Sequence, residues 1–100
     1  MSASETEAKR GMRLGFPNIS RSFDEARNRI RFWGHDRALE IAFFIEEDAL
    51  RKLDPQSDGS EASFLRAFDA ARGRIHEAAD RAYMRARGRS QVHSLTAEDF

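Results

Sequence analysis

The chain has 100 residues, 17 of them basic and 17 acidic, and no cysteine. Lack of cysteine excludes disulfides, thiolate metal sites and cysteine nucleophiles, and zero net charge argues against gross electrostatic capture by nucleic acid or anionic lipid. No apolar run approaches the ~18 residues of a membrane span, so no membrane partner is expected, and a cysteine-free chain fits a reducing cytoplasm.

The length fits one domain. Residues 1–12, MSASETEAKRGM, are polar and lack the apolar centre of a signal peptide. They read as a disordered tail, with Met12 as an alternative start, leaving 13–100 as a single α+β domain. Charge is uneven along it: residues 13–37 sum to +3, 38–61 to −5, 62–90 to +4 and 91–100 to −2.

Pro17 marks a turn and pushes Phe16 toward extended backbone. SRSFDEARNRI then reads two ways. Phe23 faces Ile30 across a connection at Glu25–Asn28, or Ser22 and Glu25 form a capping box that opens a helical turn; the hairpin is favoured. Next, Ile30 and Phe32 alternate with Arg29, Arg31 and Trp33, and Leu39, Ile41, Phe43 and Ile45 alternate with Glu40, Ala42 and Phe44. Period two is the mark of half-buried strands. GHDR at 34–37 supplies turn residues. A four-residue loop there sets Phe32 opposite Leu39, Ile30 opposite Ile41, Arg31 opposite Glu40 and Trp33 opposite Ala38.

EEDALRKLDP predicts a short helix, acidic at its start and basic at its end as the helix dipole favours, and stopped by Asp54-Pro55. QSDGS is a loop with Asp58 or Ser60 as the next cap. From Glu61 to Arg87, Phe64, Phe68, Ala71, Ile75, Ala78 and Ala82 recur at spacings of four and three, an amphipathic helix, with Gly88 as its stop. Twenty-seven residues at ~1.5 Å make about 40 Å, against a radius of gyration near 13 Å for a domain of this size. Such a helix must project, bend near Gly73 or pack beside a partner. SQVHSL is a last strand. LTAEDF starts a helix capped by Thr96, with Asp99 completing the box and Leu95 and Phe100 as a hydrophobic staple.

FPNISRSFDEARNRIRFWG, ALEIAFFIEEDAL, FLRAFDAARGRIHEAADRAY and LTAEDF together resemble the small bacterial proteins known as domain of unknown function 1488, over Leu14 to Phe100. The resemblance implies an α+β fold and a bacterial cytoplasmic home. It carries over no activity, cofactor, partner or functional residue.

The predicted fold is thus a small antiparallel sheet of three to four strands, with a central hairpin, packed on one long helix plus one short one. Arg29, Arg31, Trp33, Glu40 and Phe44 form the candidate interaction surface, since aromatics and arginines anchor interfaces. The same residues suit single-stranded nucleic acid, with bases on rings and phosphates on arginines. The predicted register disfavours that use, because it separates Trp33 from Phe44 by about 20 Å and lets Glu40 cancel Arg31. Arg81, Arg85, Arg87 and Arg89 form a candidate basic patch, although cations also belong at a helix C-terminus. Glu46, Glu47 and Asp48 are adjacent on a helix and diverge, so they form a helix start rather than a metal site. His35, His76 and His93 have no partner at ligand spacing, and no nucleophile elbow, Walker loop or dinucleotide fingerprint occurs. No catalytic, cofactor or metal site is predicted. The expectation is a non-catalytic protein-interaction or regulatory module, assembled as a homodimer through the overlong helix and the outer sheet face. The alternative is weak nucleic-acid binding through Arg29, Arg31, Arg85 and Arg89. Third is an enzyme whose site only tertiary contacts assemble.

Overall fold

Three strands meander and the fourth returns to them after three helices. The structure, a computed structural model, describes residues 12–100; the tail expected over 1–12 lies, Met12 apart, outside the described residues. Strand β1 is Arg21–Asp24, β2 Arg29–Asp36 and β3 Leu39–Ile45. Helix α1 is Glu47–Leu53, α2 Glu61–Ala70 and α3 Arg72–Arg85. Strand β4 is Val92–Leu95, and a 3-10 turn at Ala97–Asp99 follows it. The sheet order is β1-β2-β3-β4, and the α+β class stands.

The first hairpin forms as favoured, with Phe23 paired to Ile30 and Asn28 in the left-handed region at φ 52°, which asparagine tolerates. The second hairpin forms too, four residues out of the expected register. Ile30 pairs with Ile45, Arg31 with Phe44, Phe32 with Phe43, Trp33 with Ala42 and His35 with Glu40. The turn is only Arg37-Ala38, with Arg37 at φ 58°. Gly34 is not a turn residue. It lies inside β2, where an added Cβ would come within 2.9 Å of the Phe16 ring and 3.3 Å of Phe43. The glycine therefore admits the N-terminal segment against the strand, whose Gly15 bridges to His35 through both backbone bonds. A four-residue slip preserves parity, so the buried face survives it.

The expected all-antiparallel sheet is corrected at β4, which runs parallel to β3. The link between them is a crossover through three helices, which permits a parallel return. The single long helix is corrected as well. It breaks at Ala71 (φ −112°, ψ 18°), whose N–H is shared by the Ala67 and Phe68 carbonyls. Gly73, the expected bend, is helical and exposed. Past the break, Arg72 ties Asp69 to the Ile19 carbonyl, both at 3.0 Å. Helices of 10 and 14 residues fit a body of radius of gyration 13.6 Å. The helix length therefore gives no reason for a partner.

α1 begins at Glu47 after Glu46 as N-cap; Ser60 caps α2 by accepting the Ser63 N–H. Ile30, Phe32, Ile41, Phe43, Ile45 and Leu95 meet Phe64, Phe68 and Ile75 in one core, each at most 2% exposed. Burying such side chains contributes roughly 1.5–3 kcal/mol each before entropy. The closing segment is pinned as expected. Thr96 and Asp99 form the capping box, and Lys52 donates to the Ala97 and Phe100 carbonyls.

Candidate functional site

Strand pleating sends Arg29, Arg31, Trp33 and His35 of β2 to the face opposite the helices, beside Ala42 and Phe44 of β3 and Val92 and Ser94 of β4. Arg31, Glu40, Val92 and Ser94 are exposed there, and Trp33 and Phe44 half-buried. The register places these residues in rows across the strands. One row holds Asp24, Arg29 and Glu46. The next holds Ser22, Arg31, Phe44 and Ser94, and the next Trp33, Ala42 and Val92. The last holds His35 and Glu40.

Four of the five predicted surface residues converge. The Arg29 guanidinium lies 3.8 Å above the Phe44 ring, and that of Arg31 lies 5.2 Å from Trp33 and 5.8 Å from Phe44. Trp33 and Phe44 are diagonal neighbours, about 7–8 Å apart on such a ladder, which corrects the 20 Å separation. Glu40 does not face Arg31. It lies at the hairpin end, with Oε2 3.8 Å from His35 Nε2. Arg29 donates to Asp24 (2.9 Å) and Glu46 (3.3 Å). Its hydrogen bond holds the Asp24 carboxyl below the usual carboxylate range, and the two carboxylates push the Arg29 guanidinium up. Among the described residues no carboxylate pairs with Arg31. Parity puts Ala42 on this face from the sequence, but its place beside Trp33 was not foreseen, nor were Val92 and Glu46 on the face. A two-residue turn at Arg37-Ala38 would have set Ala42 beside Trp33 and Glu46 beside Arg29, but Arg37 is not a residue type that announces a left-handed turn.

The basic patch divides. Arg81 donates to the Asp99 carbonyl (3.1 Å) and Arg85 to its carboxylate (3.0 Å), so both grip the closing turn. Arg87 takes φ 56° just before Gly88 at φ 70°, and it borders a cavity of about 280 Å³ with Arg13, Asp36 and Tyr83. Arg89 is exposed. Tyr83 donates to Asp36 at 2.7 Å; that bond lowers the Asp36 carboxyl and raises the Tyr83 phenol.

Elsewhere, a groove of about 820 Å³ runs between the N-terminal segment and α3, lined by Leu14, Phe16, Gly73, Arg74, His76 and Glu77 among others. His76 stacks flat on Phe16 at 3.9 Å, and burial, with Arg72 nearby, holds it below the usual histidine value. Among the described residues, no hydroxyl or thiol lines the groove. Asp80, which the sequence reading passed over, is buried and accepts the Arg13 and Leu14 N–H groups, both at 2.8 Å.

Residues 14–94 match the family described as protein of unknown function (DUF1488). The chain belongs to the DUF1488 family. No curated protein and no solved structure matches it. The match covers β1 to α3, all but the last residue of β4, and the whole outer sheet face. Among the described residues, no helix is long and apolar enough to cross a membrane.

Proposed function

We propose that this DUF1488 protein is a non-catalytic protein-interaction module of the bacterial cytoplasm, and that its contact surface is the open sheet face centred on Trp33, Arg31 and Phe44. One observation carries the reading: two half-buried rings and an arginine without a carboxylate partner among the described residues sit together on the one sheet face the helices leave uncovered. Interface cores favour these residue types. The cysteine-free composition supports the cytoplasmic placement. The partner is a protein, a second copy included.

Weak binding of single-stranded nucleic acid gains from the same convergence, since rings and arginine now lie within one stacking platform. Charge opposes it. Arg29 and Arg31 are outnumbered on the face by Asp24, Glu40 and Glu46, a local balance of −1, whereas polyanion binding rests on net cations.

The test is affinity capture from native extract with the intact protein, Trp33→Ala and Arg89→Ala. The expected outcome is a protein retained by the intact chain and Arg89→Ala and lost with Trp33→Ala. A capture profile unchanged by Trp33→Ala, in a chain that also stays monomeric at high concentration, overturns the reading. Retention of oligonucleotide that falls steeply with salt replaces it with the nucleic-acid one.

A further inference from the structure

The sheet has two ways to meet another surface: along an edge or across a face. Both edge strands are only four residues long, and each is partly blocked. At β4, the Ser90 hydroxyl accepts the Val92 N–H (3.2 Å) and donates to the Val92 carbonyl (2.8 Å). These are the groups that point away from β3, since Gln91 and Leu95 carbonyls bond to it. At β1, the Arg21 side chain on the strand is paired with Asp69 of α2 (2.8 and 2.9 Å), and just before the strand Arg72 takes the Ile19 carbonyl. Short edges with charged or hydroxyl blocks of this kind resist strand addition. The face remains.

Its pattern is lopsided in a regular way. The large or cationic member of each central row stands on β2, and the small, aromatic or acidic member on β3 or, for Glu46, one residue past its end. The pairs are Arg29 beside Glu46, Arg31 beside Phe44, Trp33 beside Ala42 and His35 beside Glu40. A second sheet laid over the first by a two-fold axis parallel to the strands, between β2 and β3, brings each β2 residue over the copy of its own cross-strand neighbour. Arg29 then meets Glu46, Arg31 meets the Phe44 ring, Trp33 covers Ala42 and His35 meets Glu40, every contact occurring twice. Turning the axis perpendicular to the strands instead sets Glu46 over Glu40. We infer that the occupant of this face is a second copy of the chain, stacked face to face about the strand-parallel axis.

This inference rests on the open sheet face being the contact surface, and it names the partner. Four strands at ~4.8 Å and four rows spanning ~20 Å give roughly 400 Å² a copy. That is about half the ~800 Å² per partner of a standard interface, so the dimer is weak and forms at micromolar or higher concentration. Aligned sheets cross at about 30°, which keeps the Arg31 and Trp33 rows in contact and loosens the corners.

Sedimentation equilibrium of the full chain up to about 1 mM, where an interface of this size is populated, is expected to show a reversible monomer–dimer equilibrium. Arg31→Glu, exposed and so without cost to the fold, weakens it at least tenfold, as does Trp33→Ala. The axis is read separately. Isotope-labelled chain is mixed with unlabelled Glu40→Cys chain carrying a nitroxide, there being no native cysteine to compete. Amide signals are expected to broaden around His35 and to stay sharp around Arg29 and Glu46. A monomer at every concentration overturns the inference, as does a dimer indifferent to both variants or broadening centred on Glu46. A monomer whose Trp33 face still captures another protein removes the dimer and leaves the interaction module standing.

Discussion

The two faces of the same four strands carry rings and branched chains to different ends. On the inner face Ile30, Phe32, Ile41, Phe43, Ile45 and Leu95 are sealed from water by the helices. Phe32 there packs on Phe43 and Phe68 with centroids 5.3 and 5.2 Å apart. On the outer face the same strands lay arginines over Trp33 and Phe44. Contacts of that kind are worth only about 0.5–1 kcal/mol at exposed sites. Removal from water stabilises the first set. The second set stays partly open to water. The difference teaches that aromatic content alone does not locate a core, because the pleat decides which rings are sealed inside and which are left at the surface.

The comparison breaks first where the inner face is cut. Phe43→Ala removes a fully buried ring between two others and is expected to cost about 3–5 kcal/mol in denaturant unfolding, a large fraction of a small domain's stability. A loss below about 1 kcal/mol would mean that the core does not rest on this sheet face.

The inner face was legible in the sequence because its signal is parity. Ile30, Phe32, Ile41, Phe43 and Ile45 stay on one side under any even slip, so a wrong loop length cost the core reading only Leu39, which the shorter turn leaves exposed at the hairpin end. The outer face depends on register, and register depends on the turn. Gly34 and Asp36 are better turn residues by type than Arg37 and Ala38, yet Gly34 is required in the strand by Phe16 from the N-terminal segment. No local pattern announces a contact that far along the chain. The parallel direction of β4 was invisible for a like reason, and a break was legible only as one alternative for an overlong helix, placed at Gly73 rather than Ala71: both follow from how the helices settle on the sheet. Arg29, Arg31, Trp33 and Phe44 were identified by type, while their convergence had to wait for the register.

Asp80 tests how the inner face is closed at its N-terminal end. Its carboxylate satisfies two backbone N–H groups of the entering chain, 67 and 66 residues away. Asp80→Ala leaves both without an acceptor and is expected to cost about 1–3 kcal/mol. Asp80→Asn keeps one acceptor oxygen and should recover part of it. Hydrogen exchange at Arg13 and Leu14 reads the same change locally. If both amides stay as slow in Asp80→Ala as in the parent, the clasp is not what holds the segment down.

A smaller effect comes from acid. The neighbouring Ser60 hydroxyl, the Ser60 N–H, which donates to Asp58 at 2.9 Å, and the nearby Ser63 hydroxyl hold the Asp58 carboxyl at about 2, against an ordinary 3.8. The folded form therefore prefers the ionised group. The sign follows: its contribution is fully present above pH 3.8 and lost as the pH falls through about 2. In thermal melts, the margin of the parent over Asp58→Asn should be constant at neutral pH and narrow below pH 3.8. A margin that holds steady to the acid limit would assign the effect to other carboxylates.

The smallest effect on stability sharpens the contrast most. Arg31 is exposed and has no carboxylate partner among the described residues, and its cation–π contacts are long, at 5.2 and 5.8 Å. Arg31→Ala should move the unfolding free energy by less than about 0.5 kcal/mol, as surface changes away from caps and cores do. The same variant should weaken self-association, because the side chain lies at the centre of the proposed contact. If Arg31→Ala destabilises the monomer by as much as Asp80→Ala, the guanidinium is holding the rings in place for the fold's own sake. The outer face would then be a second, thinner core layer rather than a surface kept for a partner.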